Sequence, residues 1–585
     1  MDSPKGRRVG RKYRVAVNDD GASQWQYWQT PLTAEQFVRV AVDRVSTSDL
    51  LCWGVGNTLF WYNSQVAEYL DLGQTEFDSV NEWMVHTTLR NWRRAGLDPL
   101  AMVCERAHEL GMHLYASLRM NDGHFAFPNP QPDANPDQPD FGISSPDQLW
   151  NHQRGAERSP LTPQFWRDHP QYRIGEDWPG SRFAADLFDY AHPEVRERWL
   201  AIVAEMVAQY NVDGIEMDFM RNPFFFKFSA VDAGRPLMTQ FISCTRAILD
   251  EAGIRKGRHL GLAVRCPTAL SGCDAVGLDV QAWVRNGLVD VLIPSPTRNN
   301  KFETDLRPLV EMAAETDCQV LAGVDTAMPN VTWEQTRALL AEDRIDAAQE
   351  DSAKSPERCL LEESRQKREA KRGVPEGMPL NLWRALAANA YYDGVDGTYL
   401  FNLWDQIVRH GRHLDCTILA DARNAKALSR TDKLYSLDFD VAGIGSGHPS
   451  THLSQAASLP AVLQEGEPLE LPFKIADDLS QVPVQELGEV RLHLLLVHLT
   501  PVDELRLQMN GRPIDGLKRA PTLEPGAPTG PNTAFVDLVF DLRSHVPHVG
   551  QNLFTLTLAK KNRQVRPAVY LREFELSIRY HNPID

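Results

Sequence analysis

Short apolar or β-branched runs alternate with longer segments of helical period from residue 13 to about residue 437. Eight such runs cover residues 13–17, 49–55, 113–120, 213–219, 259–265, 289–294, 319–324 and 394–402. This order is typical of βα units, and eight parallel strands with helical crossovers close most simply into a (β/α)8 TIM barrel. An open doubly wound sheet is the alternative, but the stretch NDDG at residues 18–21 stands where such folds usually carry G-x-G-x-x-G.

The helix predicted before the fourth run shows the clearest periodicity. Its apolar residues recur at steps of three and four and form one stripe, which is the pattern of a helix packed on a core. They are Val195, Trp199, Ile202, Val203, Met206, Val207 and Tyr210. Pro193 and Glu194 precede them, and both residue types favour the first turn of a helix.

The pattern changes after Leu437. Residues 443–460 are rich in Gly, Ser, His and Ala, and alternating runs separated by Pro and Gly turns follow. Such runs, without a helix of convincing length, predict an antiparallel β-sandwich. We therefore expect a barrel domain at residues 1–440, a linker at 441–460 and an accessory β-sandwich domain at 461–585.

Two connections within the predicted barrel are too long for ordinary loops. The first, at about residues 121–191, is rich in Pro, Asp and aromatic residues. A disordered linker would be depleted in aromatics, so we expect this insertion to be ordered and to form a lid or wall of the active site. The second, at residues 341–373, is highly charged and is interpreted as a solvated helical excursion.

Charge and hydropathy narrow the range of partners. The net charge is −17 and no long basic block is present, which argues against nucleic acid. No apolar run reaches the roughly 18 residues that a membrane-spanning helix needs, so we expect no membrane span. The N-terminus is basic but lacks the apolar segment of a secretion signal, so the protein either stays inside the cell or has lost its signal.

Metal and cofactor signals are weak. The eight cysteines form no C-x-x-C pair, and most adjoin apolar runs, which predicts buried free thiols. His410 and His413 form an isolated H-x-x-H in a polar context that is typical of a helix surface. We therefore expect no metal site and no cofactor.

Two carboxylates stand out in the fourth run, VDGIEMDFMRNP. Because side chains alternate along a strand, Glu216 and Asp218 should point toward the barrel axis. Asp218 should lie at the carboxyl-terminal rim, where barrel enzymes place their chemistry, and Glu216 one layer below. Both are candidate catalytic residues, with Arg119, Asn121 and Arg265 as their expected partners. The alternative is a buried ion-pair network that only holds the barrel mouth.

The ends of the other predicted strands are also polar. Besides the two arginines, we expect the following residues at the rim: Asn18, Asp19, Asn121, Asp122, His124, Arg298, Asn299, Asp325, Asn402, Trp404 and Asp405. Amides, carboxylates, guanidinium groups and a tryptophan together suit a polyhydroxylated ligand.

The segment HPEVRERWLAIVAEMVAQYNVDGIEMDFMRNP resembles bacterial glycosyl-hydrolase-like proteins that are often labelled family-ten-like. Asp218, Arg221 and Pro223 match the pattern of that family, and residues 279–294, 388–402 and 432–437 are similar to further elements of it. The resemblance implies a (β/α)8 barrel, a carbohydrate substrate and a catalytic aspartate after the fourth strand. It adds Arg221 to the candidate substrate-binding residues.

Chitinase-type barrels are also similar here, since their fourth strand carries Asp-Gly-x-Asp-x-Asp-x-Glu. Asp213, Gly214 and Asp218 fit that pattern, but Met220 occupies the position of the proton-donating Glu. A methionine cannot donate a proton, which disfavours the chitinase mechanism.

The sequence thus predicts a glycoside hydrolase acting on a poly- or oligosaccharide. Asp218 would be the nucleophile or base, and Asp325 the proton donor, with Asp122 and Asp405 as further donor candidates. The groups expected to hold hydroxyls or an anionic substituent are Arg119, Asn121, His124, Arg265 and Asn299, while Trp404 would stack on a sugar face. The alternative is a non-catalytic carbohydrate-binding protein on a barrel scaffold. A polysaccharide lyase or esterase lacks support, because no G-x-S-x-G is present.

Overall fold

The computed structural model describes most of the barrel and of the C-terminal region. The described residues are 12–21, 31–56, 58–70, 75–77, 80–123, 162–179, 182–296, 300–325, 380–401, 417–437, 458–514, 518–519 and 535–581.

Eight parallel strands form a closed barrel in the order in which they occur along the chain. They are β1 (Val15–Asp19), β2 (Leu50–Gly54), β3 (His113–Arg119), β4 (Gly214–Asp218), β5 (Gly261–Cys266), β6 (Val291–Pro294), β7 (Gln319–Val324) and β8 (Gly397–Phe401). Each overlaps one of the eight runs found in the sequence. The predicted TIM barrel is therefore confirmed.

Helices connect the strands and pack around the barrel. Those of the described residues are α1 (Ala34–Ala41), α2 (Val80–Arg94), α3 (Pro99–Glu109), α4 (Gln164–Asp168), α5 (Pro193–Gln209), α6 (Val231–Lys256), α7 (Leu270–Ala275), α8 (Val280–Arg285), α9 (Arg307–Ala313), α10 (Leu380–Tyr392), α11 (Thr417–Asp421) and α12 (Ala425–Leu428). Helix α5 begins at Pro193 as expected, and Glu194 lies in its first turn. Helix α3 is capped by Asp98, which accepts hydrogen bonds from the backbone N–H groups of Leu100 and Ala101.

The interior of the barrel is filled from below by Tyr115. This side chain lies against β4 and β5 at two glycines, and a Cβ at Gly214 or Gly261 would collide with its ring or hydroxyl. The hydroxyl of Tyr13 donates a hydrogen bond to that of Tyr115 at 3.2 Å. The lower barrel is thus a packed core.

The C-terminal region is antiparallel, as predicted. Its strands are β9 (Lys433–Leu437), β10 (Ala461–Leu463), β11 (Pro468–Ile475), β12 (Leu487–Val497), β13 (Glu504–Met509), β14 (Arg512–Pro513), β15 (Lys518–Arg519), β16 (Phe535–Asp541), β17 (Gly550–Lys560) and β18 (Val569–Tyr580). One sheet has the order β10-β18-β12-β16-β15, with β9 also paired to β18, and the other has the order β11-β17-β13-β14. The two sheets enclose a core of alternate strand residues, which makes the region a β-sandwich.

The contact between the two regions is close. Strand β9 precedes the boundary predicted at residue 440, yet it pairs with β18 of the sandwich. Leu382 and Ala385 of α10 belong to the hydrophobic core of the sandwich. The ammonium group of Lys474 on β11 lies 2.5 Å from the carboxylate of Asp393, just after α10, and both side chains are buried. The division at residues 440 and 461 remains a prediction.

Among the described helices, none combines the length and apolar character that crossing a membrane would require.

Candidate active site

Three charged side chains form one layer at the carboxyl ends of β3, β4 and β5. Arg119 is the register partner of Asp218, and Asp218 is in turn the register partner of Arg265. Residues in register on neighbouring parallel strands lie side by side, so a carboxylate is placed between two guanidinium groups. The alternation used to orient β4 holds, because Ile215 and Met217 pack in the outer core beneath the helices.

Arg265 connects the two aspartates that were predicted to be catalytic. Its Nη1 donates to Oδ2 of Asp218 at 3.2 Å, and its Nη2 lies 3.5 Å from Oδ2 of Asp325. The side chains of Arg265, Asp218 and Asp325 are only 2%, 1% and 7% exposed. The structure therefore brings Asp218 and Asp325 together at the mouth, on two nitrogens of one guanidinium.

Other strands fix the orientation of Arg265. Its Nε donates to the hydroxyl of Ser295 at 2.9 Å, and Nη2 donates to the carbonyl oxygen of Pro296 at 3.0 Å. The guanidinium also lies over the ring of Phe401 on β8. Burial lowers the pKa of Arg265, but the negative charges around it, first that of Asp218, together outweigh burial and the pKa is raised. With its donors engaged in this way, Arg265 is a poor candidate for binding an anionic substituent.

Arg119 forms a second ion-pair group on the other side of Asp218. Its Nη1 donates to Asp122 at 3.1 Å and its Nη2 to Asp20 at 3.2 Å. Asp122 is buried, whereas the side chain of Asp20 is 20% exposed. The described mouth thus carries a row of alternating charges, in the order Asp20, Arg119, Asp218, Arg265 and Asp325.

Glu216 lies one layer below Asp218, as the alternation predicted. Its carboxylate accepts hydrogen bonds from Nδ2 of Asn18 at 3.1 Å and from the hydroxyl of Tyr399. Burial, and then the charge of Asp218, raise the pKa of Glu216 above its ordinary value of 4.5. The residue has no exposed surface, so it acts on a ligand only through the groups above it.

The amide group of Asn121 is bonded to backbone groups outside the barrel strands. Its Nδ2 donates to the carbonyl oxygens of Phe188 and Phe224 at 2.9 and 2.5 Å, and its Oδ1 accepts from the N–H of Phe188 at 3.2 Å. These bonds occupy the amide and attach the part of the insertion that precedes α5 to the end of β3. Its predicted role in substrate binding stays a prediction.

The structure describes only some of the remaining candidate residues. Arg221 is half-buried in the loop that follows β4. The candidates His124, Arg298, Asn299, Asn402, Trp404 and Asp405 lie outside the described residues, as does the excursion at 341–373. Of the insertion at 121–191, the described residues 162–179 and 182–191 pack beside the mouth, where Phe165 and Phe188 line a small pocket with Asp122 and Trp199.

Sequence reasoning did not single out Asp20, Ser295, Tyr399 or Phe401. The alternation in β1 could have identified Asp20, because it continues the inward series that begins with Ala16 and Asn18. Asp19, the residue noted at this strand end, instead accepts a hydrogen bond from the N–H of Gly21 at 2.8 Å and forms a turn. Nothing in the sequence around Arg265 indicated the partners that β6 and β8 provide to it.

No group of three or more His, Cys, Asp or Glu side chains within the described ranges is arranged to hold a metal ion. The six described cysteines are free thiols, and five of them are buried.

Comparisons with known proteins identify no family. The sequence matches no family model and no curated protein. Among solved structures, a family 18 chitinase from Chromobacterium violaceum is 11% identical, with 96% of this chain and 88% of the other covered and a TM-score of 0.35. A family 36 α-galactosidase from Geobacillus stearothermophilus is 11% identical over 97% and 55% of the two chains, with a TM-score of 0.31. An N-acetylglucosaminidase of family 18 from Paenibacillus barengoltzii is 13% identical over 54% and 68%, with a TM-score of 0.27. At these scores the likenesses carry no argument about function.

Proposed function

We propose that the protein is a glycoside hydrolase that cleaves an oligo- or polysaccharide at the carboxyl-terminal mouth of its barrel. The observation that carries the proposal is the placement of Asp218 at this mouth together with two further carboxylates, Asp20 on Arg119 and Asp325 on Arg265. Hydrolysis of a glycosidic bond needs two carboxyl groups on opposite sides of that bond. The resemblance of the segment around Asp218 to glycosyl-hydrolase-like proteins is in keeping with this chemistry.

Asp218 is the first of the two groups and acts as base or nucleophile. Arg265 contacts it directly and Arg119 is its neighbour in the same layer, so its negative charge is stabilised by fixed donors. The other carboxyl group gives its proton to the glycosidic oxygen as the bond to the anomeric carbon breaks. Asp325 is the donor candidate predicted from the sequence.

Glu216 supports Asp218 from below. Because Tyr399 is buried beside Glu216, the pKa of its hydroxyl is raised, and this hydroxyl donates a hydrogen bond to the carboxyl group of Glu216. The raised pKa of Glu216 favours its neutral form, which lessens the negative charge beneath Asp218. Glu216 is therefore a positioning residue in this proposal.

A carbohydrate-binding protein on a barrel scaffold is the second candidate. The observation in its favour is the nearly complete burial of the Asp218–Arg265 pair, which a structural ion pair would share. The two candidates differ in turnover, because only the hydrolase releases new reducing ends from a glycan that it binds.

Asp218→Asn is the direct test. The substitution keeps the shape of the side chain and removes its charge. We expect reducing-end release, screened on plant, algal and bacterial polysaccharides, to fall at least about 10²-fold while the protein stays folded. Asp232→Asn, at an exposed aspartate on α6, is the matched control. Retention of more than about a tenth of the wild-type rate would exclude Asp218 as base or nucleophile.

A further inference from the structure

Asp20 is the most accessible of the carboxylates described at the barrel mouth. Its side chain is 20% exposed, against 1% for Asp218 and 7% for Asp325. Asp122 and Glu216 have no exposed side-chain surface or almost none. A group that gives a proton to a glycosidic oxygen must recover a proton from solvent afterwards, and exposure serves this requirement.

The backbone of Asp20 is held in place. Gly54 at the end of β2 lies directly against it, and a Cβ at Gly54 would come within 2.4 Å of the carbonyl oxygen of Asp20. The side chain continues the inward series of β1 and reaches Arg119. Its position at the mouth is therefore set by the barrel itself.

Arg119 separates Asp20 from Asp218. It donates to Asp20, and it is the register partner of Asp218 on the neighbouring strand. A substrate lying over Arg119 would have one carboxyl group on each side. When Asp20 is protonated and turns to the substrate, Asp122 still balances the charge of Arg119 at 3.1 Å. The protonated state of Asp20 thus leaves Arg119 paired.

We infer that Asp20, in place of Asp325, is the second carboxyl group of the site and the proton donor of the proposed hydrolysis. The inference rests on the proposed function. The proton of Asp20 passes to the glycosidic oxygen, which takes the electron pair of the breaking bond to the anomeric carbon. Asp218 faces that carbon and accepts the proton of the water that adds to it. Asp20 then regains a proton from solvent, and Asp218 releases to solvent the proton that it accepted.

The test compares Asp20→Asn with Asp325→Asn on two substrates. One is the best oligosaccharide from the polysaccharide screen, and the other is an aryl glycoside of the same sugar with a nitrophenolate leaving group, which needs no protonation. Removing the donor should lower kcat about 10²-fold or more on the oligosaccharide and far less on the aryl glycoside. We expect this dependence on the leaving group for Asp20→Asn alone.

The same dependence in Asp325→Asn, with none in Asp20→Asn, would overturn the inference. Wild-type protein that binds the oligosaccharide without cleaving it would overturn the hydrolase instead. In that case the affinities of wild type and Asp20→Asn for the oligosaccharide are compared by calorimetric titration. A carboxylate that faces the substrate requires weaker binding by Asp20→Asn, and equal affinity refutes the contact. Denaturant unfolding of each variant shows that the fold is intact.

Discussion

Arg265 on β5 lies over the ring of Phe401 on β8, with its Cζ 3.6 Å from the ring centroid. The two strands are not neighbours in the barrel, so this contact reaches across the mouth. The face of the guanidinium rests on the aromatic ring while its edge donates to Asp218 and approaches Asp325. One arginine therefore balances two nearly buried carboxylates, and the charge balance of the mouth depends on it.

Replacing Arg265 by methionine should be strongly destabilising. The substitution removes the guanidinium that Asp218 and Asp325 share in a buried site, and loss of one partner of a buried pair typically costs about 3–5 kcal/mol. The free energy of unfolding, measured in urea, should fall by this amount. Adding Asp218→Asn to Arg265→Met should recover part of the loss, because it removes one of the two negative charges that Arg265 balances.

The control is Arg39→Met, at an exposed pair with Glu35 on α1. Exposed pairs of this kind contribute less than about 1 kcal/mol. If Arg265→Met and Arg39→Met lower the free energy of unfolding equally, the charge of Arg265 is not needed at the mouth.

Glu216 makes stability depend on pH. Its pKa is raised in the folded protein, so the folded state holds this proton more tightly than the unfolded state does. The resulting stabilisation is complete below about pH 4.5, the ordinary pKa of glutamate, and is lost as the pH rises through the folded value. Glu216→Gln cannot titrate, so its stability relative to wild type should increase with pH above this point.

The measurement is the free energy of unfolding of both proteins at several pH values from 4.5 to 8. A constant offset from the altered hydrogen bonds does not matter, because only the change with pH is used. Glu35→Gln, at an exposed site, should give no such trend. A difference between Glu216→Gln and wild type that stays constant would show that Glu216 titrates alike in both states.

The placement of these carboxylates shows which side-chain positions can be predicted from the local sequence pattern. Period-two alternation was sufficient to place Glu216 and Asp218 inside the barrel, since it depends only on strand geometry. At β1 the alternation was not followed far enough, because the apolar run that marked the strand ended at Val17, whereas the strand runs to Asp19. Asp20, the next inward position after Asn18, was therefore missed.

Partners that come from distant strands were not predictable. Ser295 and Phe401 meet Arg265 only because β6 and β8 close the barrel around it, and spacing along the chain does not encode that distance. Strand β9 illustrates the same limit. Residues 432–437 were noted only for their similarity to a family element, and the pairing of β9 with β18, more than a hundred residues later, depends on tertiary packing.

Lys474→Met should destabilise the barrel although the substitution lies in the sandwich. Lys474 pairs with Asp393 at 2.5 Å and donates to the carbonyl oxygen of Thr304 at 3.0 Å. Loss of the ammonium group leaves Asp393 buried without its counter-charge, at a cost of about 3–5 kcal/mol. Residues 461–585 contain no tryptophan, so tryptophan fluorescence follows the rest of the chain. Its unfolding midpoint should fall.

Lys560→Met, at an exposed pair with Glu504 on the sandwich, is the matched control and should leave the midpoint unchanged. If Lys474→Met lowers the unfolding midpoint measured by far-UV circular dichroism but leaves the midpoint measured by fluorescence unchanged, the two regions unfold separately. That result would support the independent accessory domain predicted from the sequence.

Asn121 allows a structural role to be distinguished from substrate binding. Asn121→Asp exchanges the Nδ2 donor for a negatively charged oxygen that faces the carbonyl oxygens of Phe188 and Phe224. Asn121→Ala only removes the hydrogen bonds. We expect both variants to lose stability, by about 1–3 kcal/mol for the alanine variant, and the aspartate variant to lose more because it adds repulsion.

An asparagine that binds sugar from the open mouth would give the opposite result. Asn121→Asp would then unfold like the wild type, and the substitution would instead change the KM for the best oligosaccharide. Urea unfolding and steady-state kinetics on the same three proteins separate these outcomes. Because the amide of Asn121 joins the end of β3 to the segment before α5, amide hydrogen exchange near Phe188 and Phe224 should accelerate in the alanine variant, and unchanged exchange there would contradict the structural role.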